Sequence, residues 1–331
     1  MKIALTADVH FDLYVSLSSA SRSRLSDIEN CFSWVIAESR TRGCHALLVL
    51  GDLCNDRVHL PLPVISVVAR SLRAASEAFA GGVGLLPGNH DSYLRDPSVT
   101  GMSMLKGLKN VRVFDTPGVF TLAGQNLFGM VPWYADPAMI EQGVEEVRKL
   151  RVKYLCGHAM LAGIHAGNAG VDRALFQADS FNHVFLGDEH QANEVQDNML
   201  YLGAPCQFGF GDAGASRGFW ILDTDKGSLD FIVNEDSPRF HAMKPDADFT
   251  AIRAIDYVRV EGLCPPALRE QCEWVESEVE RSEQSPVRID LAQETSQEAI
   301  FRRYFTHVLG ADKTERVEKL VGMAMKAVVA K

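Results

Sequence analysis

The sequence predicts an α/β sandwich: two sheets packed face to face with helices outside, then a small C-terminal βαβ unit and terminal helices. Three observations predict it. The first 90 residues alternate short apolar strands with amphipathic helices, the rhythm of parallel strands joined by crossover helices. Between residues 111 and 233 eight more apolar runs follow closely, interrupted by one helix, which is strand enough for a second sheet. After about residue 250 the composition changes and a shorter βαβ pattern appears.

The elements follow in order. Lys2–Ala7 is a short apolar strand ending in Asp8-Val9-His10. A Ser-rich loop, Ser16 to Ser23, leads to a helix marked by Leu25, Ile28, Phe32, Val35, Ile36 and Ser39 at helical spacing. Ser26-x-x-Glu29 fits a capping box, and Gly43 ends the helix. Ala46–Leu50 is a buried strand closing on Gly51-Asp52. A second helix places Val64, Val68, Leu72, Ala75 and Phe79 on one face, and Gly81-Gly82 stops it. Val83–Leu86 is a third strand, ending in Gly88-Asn89-His90-Asp91. Further strands are expected at Val111–Phe114, Val119–Leu122, Asn126–Val131, Lys153–Cys156, His183–Leu186, Met199–Leu202, Phe219–Leu222 and Leu229–Val233, with a helix at about Pro137–Leu150. The small βαβ unit comprises Tyr257–Val260, a helix carrying Leu268, Cys272, Val275 and Val279, and Val287–Leu291. Two helices follow, around residues 300–309 and 313–331. The expected domains are therefore 1–245, 250–292 and 293–331.

Composition bounds the function. Apolar residues make up 47% and charged residues 23% of 331, an ordinary globular balance that excludes a disordered chain, a fibre and a small disulfide scaffold. No stretch approaches the roughly 18 apolar residues that cross a bilayer. The first residues run into charge too soon for a secretory leader, so a cytoplasmic protein away from membranes is expected. Net charge is −10, so any nucleic acid would need a local basic groove, metal ions or a partner. The seven cysteines form no Cys-x-x-Cys pair and are read as reduced thiols.

The chemistry gathers at strand ends. Asp8, His10, Asp52, Asn89, His90, Asp91, His158 and His190 each sit at or just beyond the C-terminal end of an expected strand, the edge where α/β sheets bind ligands. Carboxylates, imidazoles and one amide converging there point to a metal site. Oxygen and nitrogen donors without thiolate suit Mn²⁺, Fe or Zn²⁺ over a structural thiolate zinc site. Alone, Asp-x-His is weak and Gly-Asp is often only a turn. Gly-Asn-His-Asp after an apolar strand has no use in a core.

The blocks Asp8-x-His10, Gly51-Asp52, Gly88-Asn89-His90-Asp91, Gly157-His158 and Gly187-Asp188-Glu189-His190 resemble the calcineurin-like metallophosphoesterase superfamily, whose pattern is D-x-H, G-D, G-N-H-D, G-H and G-H-x-H. The opening Ile3–His10, with Tyr201-Leu202-Gly203-Ala204-Pro205, Gln207–Phe210 and Gly218-Phe219, is similar to the SbcD-like nuclease subunits. The resemblance covers about residues 1–240. It implies a four-layer α/β/β/α fold and a nuclease, a 3′–5′ exonuclease on double-stranded DNA. It implies two divalent metal ions, Mn²⁺ first and Mg²⁺, Fe or Zn²⁺ as alternatives. Asp8, His10, Asp52 and His190 would hold one; Asp52, Asn89, His158 and Asp188 the other. Two ions about 3.5–4 Å apart share a water and clamp a phosphodiester. His90 would stabilise the phosphate or protonate the leaving oxygen, with Asp91 either orienting it or capping the loop. The implied partners are DNA, an SbcC-like coiled-coil ATPase and a second copy of the chain.

Two departures from the pattern stand out. Asp188 replaces a histidine, adding a third carboxylate and favouring harder metals. Asn55 stands where such enzymes often carry histidine; it can hydrogen-bond a phosphate but not transfer a proton, so endonuclease activity is less expected than exonuclease activity. Arg57, beyond the second block, is a candidate DNA contact. Arg22, Arg24 and Arg217 are read mainly as solvated surface. His165 is a weaker alternative to His158. Phe208 and Phe210 either stack on bases or belong to the core. Two other functions stay open: a phosphodiesterase or phosphatase for a small molecule, which suits the acidic charge, and a catalytically silent scaffold, which only Asp188 favours.

Overall fold

The computed structural model describes residues 1–19, 21–93, 96–165 and 170–277, with 296, 298–299, 301–302 and 317–321 beyond them. In chain order the elements are β1 (Lys2–Thr6), α1 (Arg24–Thr41), β2 (Cys44–Leu50), α2 (Leu62–Ala78), β3 (Val83–Leu86), β4 (Val111–Val113), β5 (Gly118–Leu122) and β6 (Gln125–Val131). Then come α3 (Pro137–Lys149), β7 (Tyr154–His158), β8 (His183–Gly187), β9 (Asn193–Gln196), β10 (Met199–Tyr201), β11 (Gly218–Asp223), β12 (Ser228–Val233), β13 (Phe240–Met243), β14 (Tyr257–Val260), α4 (Pro266–Gln271) and β15 (Trp274–Ser277).

Two six-stranded sheets form, β12-β11-β1-β2-β3-β4 and β5-β6-β7-β8-β10-β9. β1 to β4 run parallel, as do β6 to β8. Strand alternation divides the core. On β2, Leu47 and Val49 face α1 and α2, while Ala46, Leu48 and Leu50 face the second sheet. Behind that sheet, Leu155, Val184 and Leu186 pack with Ile140, Val144 and Val147 of α3. The result is four layers, α/β/β/α. Strands buried on both faces explain why these segments read as unbroken apolar runs.

Local details differ from the sequence reading. Helix α1 starts one turn earlier than its proposed capping box, with Ser23 as N-cap. The Ser18 hydroxyl, not Ser26, accepts from the Arg24 amide. Helix α4 stops at Gln271, and Trp274–Ser277 is a strand where a longer helix through Val279 was expected. β-Formers resume there, and Trp274 packs its ring against Tyr257 and Phe210. β13, β14 and β15 make a third sheet in that order. Val287–Leu291 lies outside the described residues, as do most of the two expected terminal helices.

Two compact units are present. The larger comprises Met1–Met243, Asp248–Arg259 and Pro266–Val275; the smaller comprises Lys244–Ala247, Val260–Pro265 and the described residues from Glu276 onward. In the smaller, Ser277 Oγ donates to the Gly262 carbonyl at 2.6 Å, and Arg302 pairs with Glu298 at 2.8 Å and with Glu318.

Within the larger unit, Arg22 and Arg24 are not solvated surface. Arg24 is fully buried, donates to the Gln207 carbonyl, and lies 5.1 Å from the Tyr257 ring centroid. Arg22 donates to Asp27 at 3.0 Å, and the Tyr257 hydroxyl donates to the same carboxylate at 2.5 Å. A buried guanidinium needs acceptors, and here Asp27 and the Ile255 and Gln207 carbonyls supply them beside the Tyr257 and Phe240 ring faces, while Arg22 Nη1 and Arg24 Nε have no partner. Among the described residues no helix is long and apolar enough to cross a membrane.

Candidate metal centre

The site forms at the C-terminal edges of both sheets. Asp8 and His10 follow β1, Asp52 follows β2, Asn89 to Asp91 follow β3, His158 ends β7, and Asp188 and His190 follow β8. Four of these residues have left-handed backbones: Asp8 (φ 53°), His10 (φ 51°), Asp52 (φ 50°) and Asp188 (φ 97°). Non-glycine residues adopt this conformation at a cost, and such strain gathers at functional sites. Backbone bonds hold the turns together: the Asp8 amide donates to the Gly51 carbonyl at 3.0 Å, and the His10 amide to the Asp52 carbonyl at 2.9 Å.

The donor atoms face inward. His158 Nδ1 donates to the Leu50 carbonyl at 2.8 Å, which aims Nε2 at Asp52 Oδ1 and Asp188 Oδ1, each 3.5 Å away; burial pulls this imidazole down, but the two carboxylates outweigh it and hold it well above its usual range. A terminal atom of the Asn89 amide lies 3.0 Å from His158 Nε2, 3.1 Å from Asp188 Oδ1 and 3.2 Å from Asp52 Oδ2. The two carboxylate oxygens only accept, so the amide turns its NH₂ to them; a half turn presents the oxygen to a cation instead. His10 Nε2 is 3.1 Å from His190 Nε2 and 3.6 Å from Asp52 Oδ2. The Asp188 amide donates to Asp8 Oδ1 at 3.1 Å.

Three triads place ligand atoms within 4.8 Å of one another: Asp8, His10 and His190; His10, Asp52 and His90; Asp8, Asp52 and His158. Burial pushes the Asp8 carboxyl well up, and the neighbouring Asp52 and Asp188 charges add to it against the pull of His158. Burial holds the His10 imidazole down, to about 3, so it is neutral and a ligand in form. Burial also pushes Asp52 up, but His158, His10 and His90 outweigh it and hold the carboxyl low. Buried carboxylates and imidazoles crowded to hydrogen-bond distance fit divalent cations, whose charge removes the penalty of burying them.

His90 stands at the rim. Its Nδ1 lies 2.6 Å from the Asn55 carbonyl and its amide donates to Asp52 Oδ1 at 2.9 Å. Asp91 does not orient this ring. Its buried carboxylate accepts from the amides of Leu53 (3.2 Å), Cys54 (3.0 Å) and Gly88 (3.0 Å), clamping two turns together. The Asn55 side chain is committed to Asp12 at 2.7 Å, and Arg57 lies on the exposed loop beyond. His165 is exposed and pairs with Glu189, while His158 occupies the centre.

Two further residues stand near the centre: Arg217, read in the sequence as solvated surface, and Phe208, whose ring packs against the core as one of its two readings had it. Arg217 is buried; it donates to the His190 carbonyl and, at 2.6 Å, to Asp212. Phe208 sets its ring edge-on to His10 and His190, with centroids 5.2 and 5.1 Å away. The aromatic, glycine-rich run Phe208–Asp212 was their only sequence signal.

The model of the calcineurin-like phosphoesterase family matches residues 1–192. Exonuclease subunit 1 of Enterobacteria phage T4 is 25% identical over 206 residues, 60% of this chain and 59% of that protein, so the match spans under two thirds of its relative. Among solved structures, a Thermus thermophilus protein matches at TM-score 0.44 and 15% identity, covering 70% of this chain and 98% of its own. A dimetal phosphatase from Danio rerio matches at 0.42 and 12%, covering 67% and 91%.

Proposed function

The chain belongs to the calcineurin-like phosphoesterase family and is a metal-dependent phosphoester hydrolase, and from that premise we propose that its substrate is DNA. The reading is an SbcD-like nuclease subunit, a 3′–5′ exonuclease on double strands, using Mn²⁺. Its partners would be an SbcC-like coiled-coil ATPase and a second copy of itself, in the cytoplasm. Residues 250–292 would serve as a cap and 293–331 as the ATPase-docking segment. The observation that carries the nuclease reading is the 206-residue match to a protein named as an exonuclease subunit.

The geometry supports hydrolysis. Asp8, His10, Asp52 and His190 would hold one ion and Asp52, Asn89, His158 and Asp188 the other. Bound divalent cations supply Lewis acidity toward a phosphoryl oxygen and an attacking water. The Asn55 carbonyl fixes the His90 ring through Nδ1–H, so Nε2 is the atom free to hydrogen-bond the phosphate or hand a proton to the leaving oxygen. Asp91 keeps the Leu53 and Gly88 turns at fixed separation, which sets where His90 stands. Phe208 sets an apolar ring at a steep angle beside His10 and His190, with Tyr14 stacked on it.

The net charge of −10 favours a second reading, a phosphodiesterase for a small molecule. One experiment separates them: purified protein with Mn²⁺, end-labelled duplex, single strand and a chromogenic diester, beside His90→Ala. DNA degradation lost in the variant supports the nuclease. Diester cleavage with intact DNA, also in the presence of an SbcC-like ATPase, supports the small-molecule enzyme.

A further inference from the structure

The turn after β1 and the turn after β2 run side by side beyond the sheet edge, and their backbones are laced together. The Phe11 amide donates to the Leu53 carbonyl at 2.9 Å, and the Asn55 amide donates to the Phe11 carbonyl at 3.3 Å. Phe11 and Cys54 pair in parallel. This short ladder ends at Asn55, just before the exposed stretch 56–59.

Asn55 is where this ladder meets His90. The Asn55 carbonyl can only accept, so the His90 Nδ1 that lies 2.6 Å from it carries the proton. The hydrogen bond at one ring nitrogen of a histidine decides the state of the other, and here it leaves Nε2 to face the phosphate. On the far side, Asn55 Nδ2 donates to Asp12 Oδ2 at 2.7 Å. Asp12 is anchored in turn, since its Oδ1 accepts from the Leu13 amide at 2.7 Å. One half-buried carboxylate therefore spans the two turns.

The span falls where the backbone holds least. Asp91 clamps Leu53 and Cys54 to Gly88, and its bonds stop one residue short of Asn55. Four backbone bonds join the two turns, and the one at Asn55 is the longest, 3.3 Å against 2.9–3.0 Å for the others. The carbonyl that fixes His90 thus sits at the loose end of the ladder, and the Asp12 carboxylate is what closes that end.

We propose that Asp12 is a positioning residue for hydrolysis: by holding the Asn55 side chain it fixes the Asn55 carbonyl, and with it the tautomer and place of the His90 ring. This role rests on the reading above, in which His90 Nε2 meets the phosphate or the leaving oxygen. It also assigns the Asn55 side chain to Asp12 rather than to the substrate.

The ring is read first, in the metal-free full chain labelled with ¹⁵N-histidine, the His90 signals being those that vanish in His90→Gln. An Nδ1-protonated ring is expected in the wild type and a mixed or Nε2-protonated one in Asp12→Ala. Exchanging the pair, Asp12→Asn with Asn55→Asp, is expected to restore the Nδ1–H signal, because an amide at 12 can accept from Leu13 and donate to a carboxylate at 55. Rates with Mn²⁺ follow, on one diester with an alkoxide leaving group and one with an activated aryl group. Asp12→Ala is expected to lose about 10–100-fold on the first and little on the second, which needs no proton, with metal content near wild type. The exchanged pair should recover most of the loss. Asp12→Asn, which keeps one acceptor, replaces Asp12→Ala if the latter unfolds. An unchanged His90 signal would overturn the role, as would an equal loss on both esters or a loss of bound metal, which would make Asp12 a support of the fold or of His10. If His90→Gln itself loses equally on both esters, the proton-transfer reading falls instead, and the ring signal alone decides whether Asp12 sets His90.

Discussion

His158 Nδ1 donates to the carbonyl oxygen of Leu50 at 2.8 Å, tying the end of a strand in one sheet to the end of a strand in the other. Gly51 is the next residue after that carbonyl, and a Cβ built on it would lie 2.0 Å from His158 Nδ1, at a backbone φ of +90°. Gly51→Ala is therefore expected to break the tie and to cost about 2 kcal/mol or more, from left-handed strain and the clash together. Thermal unfolding should show a fall of several degrees, with hydrolysis lost alongside.

His90 is held by the Asn55 carbonyl and stands edge to face with His10, ring centroids 5.0 Å apart. His90→Gln is expected to lower the hydrolytic rate by roughly 10²–10⁴-fold, the usual worth of a positioned acid. Metal content, measured by mass spectrometry, should stay near wild type. A parallel loss of both metal and activity would make His90 a ligand instead.

Asp188 puts a third carboxylate beside Asp8 and Asp52, with its Oδ1 3.5 Å from His158 Nε2. Asp188→Asn tolerates the same backbone and removes one charge. It is expected to weaken Mn²⁺ binding by roughly 10–100-fold. Asp188→His should shift preference toward Zn²⁺ and change the rate. Metal titrations of both variants check this; unchanged affinity and rate in both would remove any special role for the third carboxylate.

Asp256 sets an acid limit to stability. Burial pushes its carboxyl up, but hydrogen bonds from His241, Arg253 and the Arg253 and Arg239 amides outweigh it and hold the group below the usual range. A carboxyl depressed in the folded state stabilises above its unfolded pKa of about 4 and loses that stabilisation as pH falls through and below it. Asp256→Asn is expected to be less stable at pH 7 by roughly 1–3 kcal/mol and to show a flatter stability profile below about pH 5. Denaturant midpoints across pH 3–7 measure both effects.

The sheets and the inward-facing centre were legible because each chemical block directly follows an apolar strand, and parallel strands bring such ends to one edge. Asp8, Asp52, Asn89, His158 and Asp188 meet for that reason. The buried cations were not legible. Arg24 finds Gln207 at a separation of 183 residues, and Arg217 finds the carbonyl of His190; backbone acceptors carry no residue code. The same holds for Asp91, whose three partners are backbone amides. Helix α4 was overextended because Leu268, Cys272 and Val275 keep helical spacing across a chain that has already turned to strand.

The centre also dictates an order of events during synthesis. β1 lies between β2 and β11, and the Asp188 amide reaches Asp8 across 180 positions. A growing chain first displays Asp8, His10, Asp52, Asn89 and His90 without His158, Asp188 or His190. β1 lacks one of its two neighbours until residues near 220 are made. Hydrolytic competence therefore arrives late and all at once, and a ribosome-bound fragment ending before the second sheet holds an incomplete ligand set.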